Sequence, residues 1–97
     1  MVRVELPYHL RVLAGVEGDL QLDVTDATLG GAIEALETRC PALRNTIRDQ
    51  KTGQRRPLVR FFVSGEDWSD AKMETMLPAP VRAGDEPLIV VGAIAGG

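Results

Sequence analysis

The chain opens on an alternation. Val2, Val4 and Leu6 share one side of a period of two, with Arg3 and Glu5 on the other, the pattern of a strand with one face in a core and one in water. It returns at Leu20, Leu22 and Val24. Between the two, "PYHLRVLAG" contains Pro7 and Gly15 and reads as a strand end followed by a packed loop. The period then changes. Leu29, Ile33, Leu36 and Cys40 fall at helical spacing, with Asp26 or Thr28 placed to cap the first turn and Pro41 to close the helix. Gly30 and Gly31 each cost that helix about 1 kcal/mol relative to alanine, so they predict a close approach of its first turn to a sheet. "PALRNTI" reads as a short helical turn.

In the second half, the polar loop "TGQRRP" leads into "LVRFFVSGEDWS", a hairpin turning at Ser64-Gly65. A two-residue turn pairs Phe62 with Asp67 and Phe61 with Trp68. Val59, Phe61, Val63 and Trp68 then share the core side, and Phe62 points the other way. "DAKMETMLPAPVRAGD" is loop with one helical turn. "LIVV" has no alternation, which predicts a strand central in the sheet or covered on both faces. The order strand, strand, helix, hairpin, strand, with the first and last strands as parallel neighbours, is α+β. It is that of a ubiquitin-like β-grasp: a mixed sheet of four to five strands crossed by one main helix, residues 1–97 forming one domain with a flexible tail over 92–97.

Composition narrows the function by exclusion. The net charge is -3 over 97 residues, and the densest basic spot is Arg55-Arg56, too little for a nucleic-acid face. No stretch approaches a membrane span, and "MVRVEL" lacks the apolar core of a signal peptide, so a cytoplasmic protein is expected. Cys40 has no second cysteine to pair with. With His9 the sole histidine and no "CxxC" or "HExxH", no protein-only metal site is expected. His9, beside Tyr8, reads as structural, Cys40 as a buried thiol on the helix's apolar stripe, and Trp68 as core. Glu66, Asp67 and Asp70 read as solvated carboxylates without an acid or base partner. Gly30-Gly31 lacks the lysine of a phosphate loop. The chain is not expected to be an enzyme, to hold a cofactor, or to bind nucleic acid or membrane.

Taken in order, "LRVLAG", "DATLGGAIEALETRCPAL", "FFVSGED", "VRAGDEPLIVV" and the closing "AGG" resemble the MoaD/ThiS-like family of ubiquitin-like sulfur carrier proteins. The resemblance covers nearly the whole chain, and its most specific part is the Gly-Gly end. It implies that the Gly97 carboxylate is adenylated by an E1-like enzyme that uses ATP and magnesium, and then takes sulfur as a thiocarboxylate. Gly96 gives the thread its slim, permissive backbone for tail recognition. The implied partners are that adenylating enzyme, a sulfur-accepting biosynthetic enzyme, and a sulfurtransferase or a metalloprotease. The long stretch "IRDQKTGQRRPLVRFFVSGEDW" looks more like the CysO-type branch, which feeds cysteine or sulfur-containing metabolites, than like a minimal thiamine carrier. Three alternatives stay open: a modifier joined through Gly97 to lysines, the small subunit of molybdopterin synthase, and a β-grasp interaction module without C-terminal chemistry. A carrier without catalytic residues must be recognised by its surface. Phe62, beside Arg60 and the last strand, is the candidate docking residue unless the Asp70 to Pro80 loop folds over it.

Overall fold

The computed structural model describes residues 1–92. The first strand, β1 (Val2–Glu5), turns through α1 (Tyr8–Ala14) into β2 (Leu20–Leu22), followed by α2 (Leu29–Arg39) and a 3-10 turn at Pro41–Leu43. The hairpin of β3 (Val59–Val63) and β4 (Glu66–Asp67), a single helical turn α3 (Ala79–Arg82) and β5 (Leu88–Gly92) complete the chain. The strands form one sheet in the order β2-β1-β5-β3-β4. β1 and β5 are parallel at its centre (Val4 opposite Leu88), and the other pairs are antiparallel.

Strand alternation builds the core as expected. Val2, Val4, Leu20, Leu22, Val59, Phe61, Val63, Leu88 and Val90 are buried in one cluster with Leu29, Ala32, Ile33 and Leu36 of α2, and Trp68 packs against it half-buried. Both capping candidates of α2 take part. The Thr28 hydroxyl accepts from Gly31 N–H at 3.0 Å and donates to the Asp26 carboxylate at 3.0 Å, which satisfies one orphan donor of the first turn. Cys40 ends this helix and is buried. The hairpin turns at Ser64 (φ 51°) and Gly65 (φ 80°), with Phe62 opposite Asp67; two positive φ angles are the type I′ geometry that suits strand twist.

Three expectations are corrected. Residues 8–14 form a helix, because Pro7 and Gly15 bound it rather than break it. Pro7 C=O accepts from Leu10 and Arg11 N–H at 3.0 Å. Gly15 at φ 72° closes a Schellman motif in which Val16 N–H donates to Arg11 C=O at 3.0 Å and Gly15 N–H to Val12 C=O at 3.2 Å. The close approach at Gly30 and Gly31 is to loops, not to the sheet. A Cβ on Gly31 would stand 1.9 Å from Asp26 O, and one on Gly30 would stand 3.0 Å from Met73 O. The loop carrying Met73 is stitched along this turn by Leu29 N–H to Thr75 C=O and Gly30 N–H to Met73 C=O. Of the two readings of the apolar run of β5, the central position is the one found, with one face covered and the other bearing half-buried Ile89 and Val91 at 42% exposure. Gly92, expected to open the tail, is instead the last residue of β5, paired opposite Val59.

The long connection before β3 is pinned rather than loose. Glu37, on the buried side of α2, accepts from Arg48 Nε and Nη2 at 3.0 and 2.8 Å and from Gln50 Nε2 at 2.9 Å. Both carboxylate oxygens are thereby satisfied, which a buried charge requires. Arg55 reaches Ser69 C=O and Val59 C=O at 2.7 Å each and clips the connection to the hairpin.

Candidate functional site

The helices and the long loops all lie against the Phe61 side of the sheet and leave the other side open. Register alone arranges what that open side presents. Glu5 is opposite Ile89, Ile89 opposite Phe62, and Phe62 opposite Asp67, so one row across four strands reads carboxylate, aliphatic, aromatic, carboxylate. Val91 stands on the same side opposite Arg60. The result is a small apolar patch of Phe62, Ile89 and Val91 with charged groups around it.

Its surroundings are fixed by short polar contacts. Arg60 Nη1 approaches Asp67 Oδ2 at 3.4 Å, and Ser69 N–H donates to Asp67 Oδ1 at 2.8 Å. The Ser69 hydroxyl and N–H, with Arg60 and Arg55 adding positive charge, hold the Asp67 carboxyl below the usual carboxylate range. At the turn, the Ser64 hydroxyl is hydrogen-bonded to the Glu86 carboxylate. Ser64, Gly65, Glu86, Pro87 and Ile89 line a shallow cleft of about 250 Å³ beside the patch.

Phe62 is therefore where the sequence placed it, on the face away from the core and half-buried. The loop after Asp70 does not fold over it but packs along α2, through Met73, Thr75 and the Thr28–Met76 bridge. Ile89 and Val91 were missed as its companions. The signal was present: an apolar run without alternation, placed next to an alternating strand, puts apolar side chains on the polar face.

Gly96 and Gly97 lie outside the described residues. Their attachment point does not: Gly92 leaves the sheet beside α1, where a Cβ on it would come 2.8 Å from His9 Cε1. His9 thus packs on the root of the tail. Asp70 comes 3.7 Å from Arg55 Nη2 with its side chain 97% exposed, and Glu66 is exposed at the turn. Among the described residues no group of three or more His, Cys, Asp or Glu side chains could hold a metal ion, and no helix is long and apolar enough to cross a membrane.

Solved structures share this arrangement over the whole chain. SAMP1 of Haloferax volcanii, a small archaeal modifier protein, is 25% identical, with a TM-score of 0.71, over 99% of this chain and 98% of that one. The Amycolatopsis orientalis BexX/CysO complex matches at 21% identity and a TM-score of 0.77, over 100% of both chains. CysO of Mycobacterium tuberculosis matches at 22% identity and a TM-score of 0.76, over 97% and 100%. The chain is a ubiquitin-like β-grasp protein. The CysO structures share the fold, and the likeness to SAMP1 agrees with the resemblance to ubiquitin-like proteins read from the sequence. No family model and no curated protein matches the sequence. For a β-grasp at this identity, geometry carries what sequence similarity does not.

Proposed function

We propose that this β-grasp protein is a sulfur carrier that works through its C-terminal carboxylate. The observation that carries the reading is the combination of a central β5, whose last residue Gly92 stands five positions before Gly97 in the sequence, with a sheet face left open. A carboxylate is a poor electrophile. In an E1-like enzyme using ATP and magnesium, a Gly97 carboxylate oxygen attacks the α-phosphorus, pyrophosphate leaves, and an acyl adenylate forms. A sulfur nucleophile then displaces AMP, and the carbonyl carbon keeps sulfur as a thiocarboxylate for a biosynthetic acceptor. The chain's own residues dock and present: Phe62, Ile89 and Val91 supply the apolar contact, and Gly96 and Gly97 supply a thread slim enough for a narrow channel. No residue of the carrier is a catalyst.

A modifier reading has one specific observation in its favour, the likeness to a small archaeal modifier protein. Both fates share the adenylate and separate afterwards, one ending in a thiocarboxylate and the other in an amide to lysine. Incubation with an E1-like enzyme, ATP and a sulfide source, followed by intact mass, is the test. Exchange of one oxygen for sulfur, abolished by deleting Gly97, is the expected result. An unchanged mass on folded protein across several such enzymes sinks the carrier reading, whereas lysine adducts of higher mass in cells would favour the modifier.

A further inference from the structure

A larger cleft, of about 760 Å³, lies between β2 and α2, at the edge of the sheet opposite the β3–β4 hairpin. Leu22, Ala35 and Met1 give it an apolar lining, and Met1 is 64% exposed. β2 pairs with β1 on one side, and among the described residues no backbone hydrogen bond leaves its other side. In an antiparallel pair every second residue turns its N–H and C=O away from the partner strand. This edge therefore offers unpaired donors and acceptors beside an apolar cleft, which is a template for one more strand.

Charge decides which strand. Asp23, Asp26 and Glu34 line the cleft and are exposed, against one side-chain cation, Arg39. Among the described residues none of these three carboxylates is in an ion pair; Asp26 accepts from the Thr28 hydroxyl. A second copy meeting this edge would bring like charges face to face, which destabilises cross-strand pairs. A basic strand would be drawn in. Alternation sets its pattern: on the core side an added strand meets Leu22 and Ala35, and on the outer side its side chains stand beside Gln21 and Asp23. We propose that the free edge of β2, with the cleft under α2, docks an extended basic segment of a partner protein. That segment becomes a sixth strand of the sheet, with aliphatic side chains toward Leu22 and Ala35 and lysine or arginine toward Asp23, Asp26 and Glu34. Phe62 is three strands away, about 14 Å at the usual strand spacing, so occupation of one surface leaves the other accessible.

The test uses the isolated full-length chain and needs no activation of Gly97, so it stands or falls apart from the carrier reading. Its probes are a blocked peptide alternating lysine with valine, a counterpart alternating glutamate with valine, and the lysine peptide N-methylated throughout, which keeps its charges and loses its donors. Titration followed by amide NMR is expected to move residues 20–26 and 34–39 with the unmethylated lysine peptide alone, and to slow hydrogen exchange at an outward amide of β2. Asp23→Asn combined with Glu34→Gln should weaken that peptide about fivefold, as for exposed ion pairs worth about 1 kcal/mol together, with Tm unmoved. The proposal is overturned by an absence of shifts at millimolar lysine peptide, by shifts centred on Phe62 and Ile89, or by equal affinity for the glutamate or the N-methylated peptide. Unaltered affinity in the double variant overturns it too, as do β2 shifts that follow protein concentration without peptide, which assign the edge to a second copy.

Discussion

The two faces of β3 share one backbone and differ in almost everything else. Val59, Phe61 and Val63 are sealed beneath the helices, while Arg60 and Phe62 look outward from between them. Two adjacent phenylalanines thus sit in separate surroundings, one sealed in the core and one half-buried on the outer face. A buried aromatic contributes through area and close packing that no surface site supplies. A half-exposed one, beside Ile89 and Val91 on the outer face, contributes less to folding, and part of its apolar area remains accessible. The difference teaches that hydrophobicity alone does not mark the core; its position in the alternation does.

Replacing each residue in turn should pull the two roles apart. Phe61→Ala leaves a cavity under α2 and is expected to cost about 3–5 kcal/mol of stability, seen as a large drop in the urea midpoint. Phe62→Ala should cost about 1 kcal/mol or less of stability, yet raise the KM of an E1-like enzyme for the carrier about thirtyfold, as for a central aromatic contact worth about 2 kcal/mol. A Phe62→Ala protein as unstable as Phe61→Ala but with unaltered KM would abolish the division of labour. The smallest effect should come from Asp67, across from Phe62. Its folded carboxyl lies below the ordinary value of 3.8, so its contribution is present above that value and lost as pH falls through the lowered one. Asp67→Asn should therefore be slightly less stable than the wild type near neutrality, with the difference closing in acid; a difference that grows in acid would contradict the Ser69 and Arg60 contacts.

Elements whose side chains obey one period were legible: the strands, α2 with Thr28 at its cap, and the Ser64-Gly65 hairpin. α1 was not, since only Leu10 of its seven residues is buried and the helix leaves no apolar stripe to read. What defines it are Pro7 and Gly15, which end elements as readily as they break them. Gly30-Gly31 announced a close approach but not its partner, because Met73 lies more than forty residues further along the chain. The Glu37, Arg48 and Gln50 contacts join residues 11 and 13 apart with no periodicity to betray them. At the candidate site, the outward Phe62 was readable from alternation alone, whereas the patch around it depends on which strands become neighbours.

The parallel pairing of β1 with β5 also has a mechanical consequence. Both strands point toward the end of the sheet from which the tail departs, so a pull on the chain beyond Gly92 against the N-terminus acts along the strand axis. The evenly spaced bonds of a parallel ladder then bear the load together, in shear, instead of opening one at a time as in a peeled edge. A pull transmitted through Gly92 therefore meets the sheet in shear and not at a peeling edge.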